Sequence, residues 1–230
     1  MSERINQLLK STYRDKGTNF SVSQLTKPSY QLWVEYHAPK EAIRESTVSF
    51  KSFLGSAMHS AFEHTDIAGV VQEFTWIKTL NGVTIGGTAD RLDWRYSINK
   101  WQIGDYKLKG EYSYKKFIEG EQDKEVMQLS IYRWLFDGLF DIEDKAVIYL
   151  FMNGHTARSK YPEMQEVWLN LLPVKTIESL ITNKIMVATG DKAPPVDCET
   201  VWLCNYCSAR NYCPADIAKN KKKGGFADES

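Results

Sequence analysis

Two short segments carry the residues most able to do chemistry. Asp90, at the end of Gly87-Thr88-Ala89-Asp90, and Asp105-Tyr106-Lys107, following Ile103-Gly104, put two carboxylates and an ammonium on what read as neighbouring strands. Successive side chains of a strand point to opposite faces, so Asp105 and Lys107 share a face, and Asp90 can join them from the preceding strand. Carboxylate oxygens so arranged suit Mg²⁺ or Mn²⁺, and a lysine beside them can steady a hydroxide or the charge growing on a phosphorane. That outlines phosphodiester hydrolysis. Asp-x-Lys on an exposed strand is ordinarily a solvated pair. Here Trp101, Ile103 and Leu108 make the segment apolar-rich, and charges within such a strand need partners or a metal.

A second constellation lies near the C-terminus. All four cysteines, Cys198, Cys204, Cys207 and Cys213, fall in the last 33 residues with the spacing C-x5-C-x2-C-x5-C. There is no apolar run of about 18 residues, and Met1-Ser2-Glu3-Arg4 does not open a signal peptide. The expectation is a cytoplasmic protein with no membrane span. Cytoplasmic thiols stay reduced, so the cluster reads as a metal or iron–sulfur site, with Cys204-x2-Cys207 wrapping one metal centre.

The chain must position these groups with 230 residues, 43% of them apolar and 13% aromatic, enough for a substantial core. Twenty-nine basic and 29 acidic residues cancel, so net charge neither demands nor excludes nucleic acid. Apolar periodicity predicts an amphipathic segment over 22–36 and a helix over 52–64 with Gly55 and His59 on one face. Strands are expected over 71–80, 83–94 and 100–108, the first two joined by Asn81-Gly82, a strong hairpin signal. A polar stretch over 109–122 leads into a helix over 124–139, whose inward stripe comprises Gln128, Tyr132, Leu135 and Leu139. The amide of Gln128 is costly there unless it finds a partner. A buried strand over 146–151, another over 166–170 and a helix over 174–189 complete the body. Gly190, Pro194 and Pro195 then break the chain.

Taken in order, a helix with His59, a strand with Asp90, a strand with Asp105-Tyr106-Lys107, a helix with Gln128-x3-Tyr132 and a C-terminal C-x2-C-x5-C resemble the RecB-like branch of the PD-(D/E)XK nuclease superfamily. Within it they look most like the AddB-type and CRISPR-associated iron–sulfur exonucleases and their phage relatives. The resemblance covers about residues 20 to 215. It implies an α/β fold with a mixed sheet flanked by helices, in which a divalent metal is held by His59, Asp90, Asp105 and the carbonyl of Tyr106. Lys107 would orient or help activate the attacking water, and Gln128 and Tyr132 would support the site or contact DNA.

In the iron–sulfur members the first cluster ligand comes from a segment resembling Tyr-x-x-Cys-Pro. Here Tyr36-His37-Ala38-Pro39 stands in that place without a cysteine. Cys198 is the favoured fourth ligand and His37 the alternative; the set fits a [4Fe–4S] cluster or structural Zn²⁺. The expected organisation is a nuclease core over 1–195, a cysteine module over 196–215 that clasps the C-terminus onto the N-terminal helices, and a mobile lysine-rich tail over 216–230. The expected activity is a Mg²⁺- or Mn²⁺-dependent deoxyribonuclease, an exonuclease on single-stranded DNA or duplex ends serving DNA processing, recombination or repair in a bacterial or phage-infected cytoplasm. A homo-oligomer or a recombination or helicase partner is compatible with it. The rival is a catalytically silent DNA-binding or assembly subunit that keeps the fold, against which the intact Asp90, Asp105 and Lys107 argue.

Overall fold

The computed structural model describes residues 17–38, 57, 67–198, 207 and 210–213. Its elements are β1 (Phe20–Ser21), α1 (Val22–Leu25), α2 (Ser29–His37), β2 (Val70–Leu80), β3 (Val83–Arg95), β4 (Lys100–Gly110), α3 (Glu111–Ile118), α4 (Asp123–Phe136), β5 (Lys145–Asn153), β6 (Met164–Asn170) and α5 (Val174–Thr189), with a 3₁₀ turn at Arg210–Tyr212. His59 and Cys204 lie outside the described residues, as do most of the helix expected over 52–64 and the tail over 216–230. Among the described residues no helix is long and apolar enough to cross a membrane.

The chain forms two compact units, residues 1–26 with 49–179, and 27–48 with 180–230. In the first, Asn81 and Gly82 adopt φ 51° and 80°, the left-handed pair that a two-residue hairpin loop requires. The β2–β3 hairpin then runs antiparallel from Leu80↔Val83 to Val70↔Asp93. β4 adds antiparallel to β3, β5 parallel to β4, and β6 antiparallel to β5. The sheet is therefore mixed and six-stranded, with β2 on one edge of β3 and both β1 and β4 on the other. This is the expected α/β architecture.

α4 lies on β2, β3 and β4, while α3 lies on β4 and β5. Leu129, Trp134, Leu135 and Phe136 of α4, and Ile85, Leu92, Ile103, Ile148 and Leu150 of the sheet, are each at most 1% exposed. Burial of each such side chain is worth about 1.5–3 kcal/mol. Edge-on ring contacts carry the packing outward, from Phe74 to Phe136 and Phe140, and from Phe140 to Trp101.

Four elements differ from the sequence reading. Pro28, with no N–H and a non-helical ψ of 147°, divides the segment over 22–36 into α1 and α2. Phe20–Ser21 forms a short parallel strand against Ile85 and Gly86. The stretch over 109–122 contains α3, anchored by the buried Tyr114 and Phe117 one turn apart. α4 stops at Phe136 because Asp137, at φ −57° and ψ 129°, leaves the helical region and turns the chain with Gly138 at φ 88°, so Leu139 falls beyond the helix, 44% exposed rather than on the inward stripe.

In the second unit, α2 begins without a cap of its own. Asp197 supplies it from the far end of the chain, accepting from Ser29 N at 2.6 Å and Tyr30 N at 2.9 Å. Trp33 Nε1 donates to Gly190 O at 2.7 Å. Burial lowers the pKa of Lys184, whose ammonium donates to Lys27 O.

Candidate active site

The β3–β4 ladder runs from Arg95↔Lys100 to Arg91↔Gly104 and stops. The next pair in register would be Asp90 and Asp105. Beyond that point β4 continues with β5, through Asp105↔Ile148 to Gly110↔Asn153, while β3 turns to β1 at Ile85 and Gly86. The two carboxylates thus stand where neighbouring strands part, and a side chain replaces the missing ladder bond: Tyr106 N donates to Asp90 Oδ2 at 3.0 Å.

Asp105 is 2% exposed, and its Oδ2 lies 2.6 Å from Lys107 Nζ. Burial works to lower the pKa of Lys107, but the charge and hydrogen bond of Asp105, with Asp90 and Glu125 behind them, hold it above the ordinary lysine value. Lys107 is therefore a cation at neutral pH. It can complement negative charge or donate to a water, and it is not poised to remove a proton.

Gln128 and Tyr132 are one turn apart on α4. The costly amide finds a partner in Asp105, whose Oδ1 accepts a long bond from Gln128 Nε2 at 3.4 Å. Tyr132 donates to Thr88 O at 2.6 Å. Its ring lies so close to β3 that a Cβ on Gly87 would sit 2.7 Å from Tyr132 Cε1; only glycine allows this approach. Burial, then the charges of Asp105 and Asp90, push the Tyr132 phenol far above its ordinary pKa, so it stays a neutral donor.

The Tyr106 side chain faces away from the carboxylates. Its ring meets Tyr149 at 5.3 Å, and its hydroxyl accepts from Arg91 NH1 at 3.1 Å. What Tyr106 brings to the site is main chain. Behind Lys107, Lys109 pairs with the buried Glu125 at 2.8 Å and ties β4 to the first turn of α4. Sequence reasoning did not single out this pair. The signal was the pattern Lys107-x-Lys109, which continues the site face by one strand repeat.

Hard oxygen donors from Asp90 and Asp105, one of them buried, suit a small divalent cation. Among the described residues, no three His, Cys, Asp or Glu side chains are grouped to hold a metal ion. The remaining expected ligand, His59, lies outside the described residues.

In the second unit, Cys198, Cys207 and Cys213 pack against the cluster formed by Tyr30 and Val34 of α2. His37, in the last turn of that helix, has Nδ1 2.9 Å from Trp33 O. A carbonyl only accepts, so Nδ1 carries hydrogen and in the neutral ring Nε2 keeps its lone pair.

The crystal structure of SSO0001 is similar over 93% of this chain and 94% of that one, with a TM-score of 0.61 at 19% sequence identity. That likeness speaks to fold alone. Among curated proteins none matches the sequence. The family model of the PD-(D/E)XK nuclease superfamily matches residues 21–214, a span that includes both aspartates, Lys107, Gln128 and Tyr132, and the chain belongs to that superfamily.

Proposed function

We propose that the chain is a metal-dependent deoxyribonuclease, an exonuclease of the RecB-like branch close to the AddB-type and CRISPR-associated enzymes and their phage relatives. The observation that carries this reading is the parting of β3 and β4 at Asp90 and Asp105, with Lys107 ion-paired to the second carboxylate. Asp90, Asp105 and the main-chain carbonyl of Tyr106, with His59, would hold Mg²⁺ or Mn²⁺. The bound cation would acidify a water and neutralise non-bridging phosphate oxygens. Asp90, by accepting from Tyr106 N, fixes the backbone between the two halves of the Asp-x-Lys motif. Lys107, kept protonated by its carboxylate neighbours, donates to the attacking water and complements charge on the phosphorane. Gln128 orients Asp105, and Tyr132 fixes the carbonyl of Thr88 two residues before Asp90.

The cysteine segment would be a structural module, with Cys198, Cys204, Cys207 and Cys213 around a [4Fe–4S] cluster or Zn²⁺. Packing of three of them on α2 supports a clasp between the chain's two ends. The substrate would be single-stranded DNA or duplex ends in DNA processing, recombination or repair. Purified protein with Mn²⁺ should degrade linear DNA and spare closed circles of the same sequence. Cleavage of circles at the same rate would remove the exonuclease assignment, and an inactive wild type binding DNA tightly would favour the silent subunit.

A further inference from the structure

β4 presents two lysines on the face that carries Asp105. Lys107 and Lys109 are two residues apart on the strand, so their side chains leave it on one side, about 7 Å from each other. α4 lies on this strand and offers one buried anion, Glu125, 7% exposed and in the first turn of the helix. The amide hydrogens at a helix start favour negative charge, so this carboxylate keeps its charge and demands a cation. Both lysines lie within its reach. The Glu125 charge acts on Lys107, yet the ion pair forms with Lys109, at 2.8 Å. The Lys109 ammonium also lies 4.8 Å from the centroid of the Phe117 ring of α3, a second attraction that favours this seat. One turn along α4 from Glu125, Gln128 reaches Asp105. Lys107 therefore stands between two cross-connections of β4 to α4, and its own ion pair, at 2.6 Å, is with Asp105.

Two buried carboxylates thus face two neighbouring lysines, and the pairing decides which lysine serves the site. We propose that Lys109 is a positioning residue: by occupying Glu125 it leaves the Lys107 ammonium to Asp105 and to the phosphate that binds there. The proposal rests on the nuclease reading above. Without Lys109, Glu125 is a buried anion that has lost its cation, and Lys107, one strand repeat away, swings to it and leaves Asp105.

DNA cleavage by the full chain, and Mn²⁺ calorimetry without DNA, test this in Lys109→Met, Glu125→Gln and the double variant. Lys109→Met should cleave at least about tenfold more slowly at saturating DNA and Mn²⁺, since the transition-state charge loses its cation. It should nevertheless bind Mn²⁺ about two- to fivefold more tightly, because Lys107 no longer competes with the metal for Asp105. Glu125→Gln and the double variant leave no buried unpaired carboxylate, and both should cleave within about twofold of wild type, the coupling that a double-mutant cycle isolates. An ion pair that merely braces α4 would give another order, with the double variant as slow as Lys109→Met and Mn²⁺ weakened in each. That result, or Lys109→Met cleaving as fast as wild type, would overturn the proposal while wild-type cleavage keeps the nuclease reading. A wild type that binds Mn²⁺ and cleaves nothing would overturn that reading, and unchanged or weaker Mn²⁺ binding in Lys109→Met would then overturn the proposal with it.

Discussion

Asp105→Asn keeps the shape of the side chain and removes one charge, so it isolates what that charge does. Breaking a fully buried ion pair by removing one partner costs about 3–5 kcal/mol. Asp105 is buried, but the Lys107 side chain is 25% exposed and keeps Asp90 and Glu125 as neighbours, which brings the cost down to about 2 kcal/mol. Relief of repulsion between the two aspartates works the other way. It is the smaller effect, because Asp90 Oδ2 is already compensated by Tyr106 N. A net loss of about 1–2 kcal/mol lowers the melting temperature of a chain this size by about 2–8 °C. Removing the carboxylate also lowers the pKa of Lys107, since burial then has less opposing it. With Mn²⁺ at about 100 times its Kd, wild type gains about 2.7 kcal/mol, and the variant gains nothing. Thermal melts followed by circular dichroism, with and without Mn²⁺, read both effects. A metal-free variant more stable than wild type would refute the ion-pair reasoning. An equal Mn²⁺ shift in both proteins would refute Asp105 as a ligand.

Gly87→Ala should destabilise by about 1–3 kcal/mol in urea unfolding, because the new methyl would meet Val22 Cγ2 at 2.5 Å and Tyr132 Cε1 at 2.7 Å. Burial pushes the Tyr149 phenol up to about 12, so the unfolded chain loses that proton first. Stability present below pH ~10 should then fall as pH climbs from there through about 12, and Tyr149→Phe should flatten that alkaline loss. Asp197→Ala removes the carboxylate that caps Ser29 and Tyr30 and should cost about 1 kcal/mol in thermal melts. Protein purified without oxygen should be brown, with iron and acid-labile sulfide, or colourless with about one zinc per chain; metal-free protein with four titratable thiols would remove the cysteine module from the account.

What was legible in the sequence was whatever local pattern determines. Asn81-Gly82 fixed the hairpin, alternation located β2 to β4, and a run of helix-period apolar residues matched α5 at Val174–Thr189. α3 was hidden because Lys115, Lys116 and Glu119 outnumber the two residues, Tyr114 and Phe117, that bury it. β1 could not be read at all, since a two-residue strand exists only through distant pairing with Ile85 and Gly86. At the site, the shared face of Asp105 and Lys107 followed from strand periodicity, and the odd amide of Gln128 called for a partner without naming it; Asp105 fills that place. The stop in the β3–β4 ladder, the approach of Tyr132 to Gly87 and the pairing of Lys109 with Glu125 are products of tertiary packing. No single-residue propensity encodes them.

The central claim is tested most directly by incubating purified protein with end-labelled single- and double-stranded DNA in Mg²⁺, in Mn²⁺ and in chelator, beside Asp90→Ala, Asp105→Asn and Lys107→Ala. Metal-dependent loss of label that chelator abolishes is expected, with each variant slowed by at least about a hundredfold, the order seen when a group stabilising transition-state charge is removed. Cleavage that persists in chelator, or an Asp105→Asn protein as fast as wild type, would contradict it.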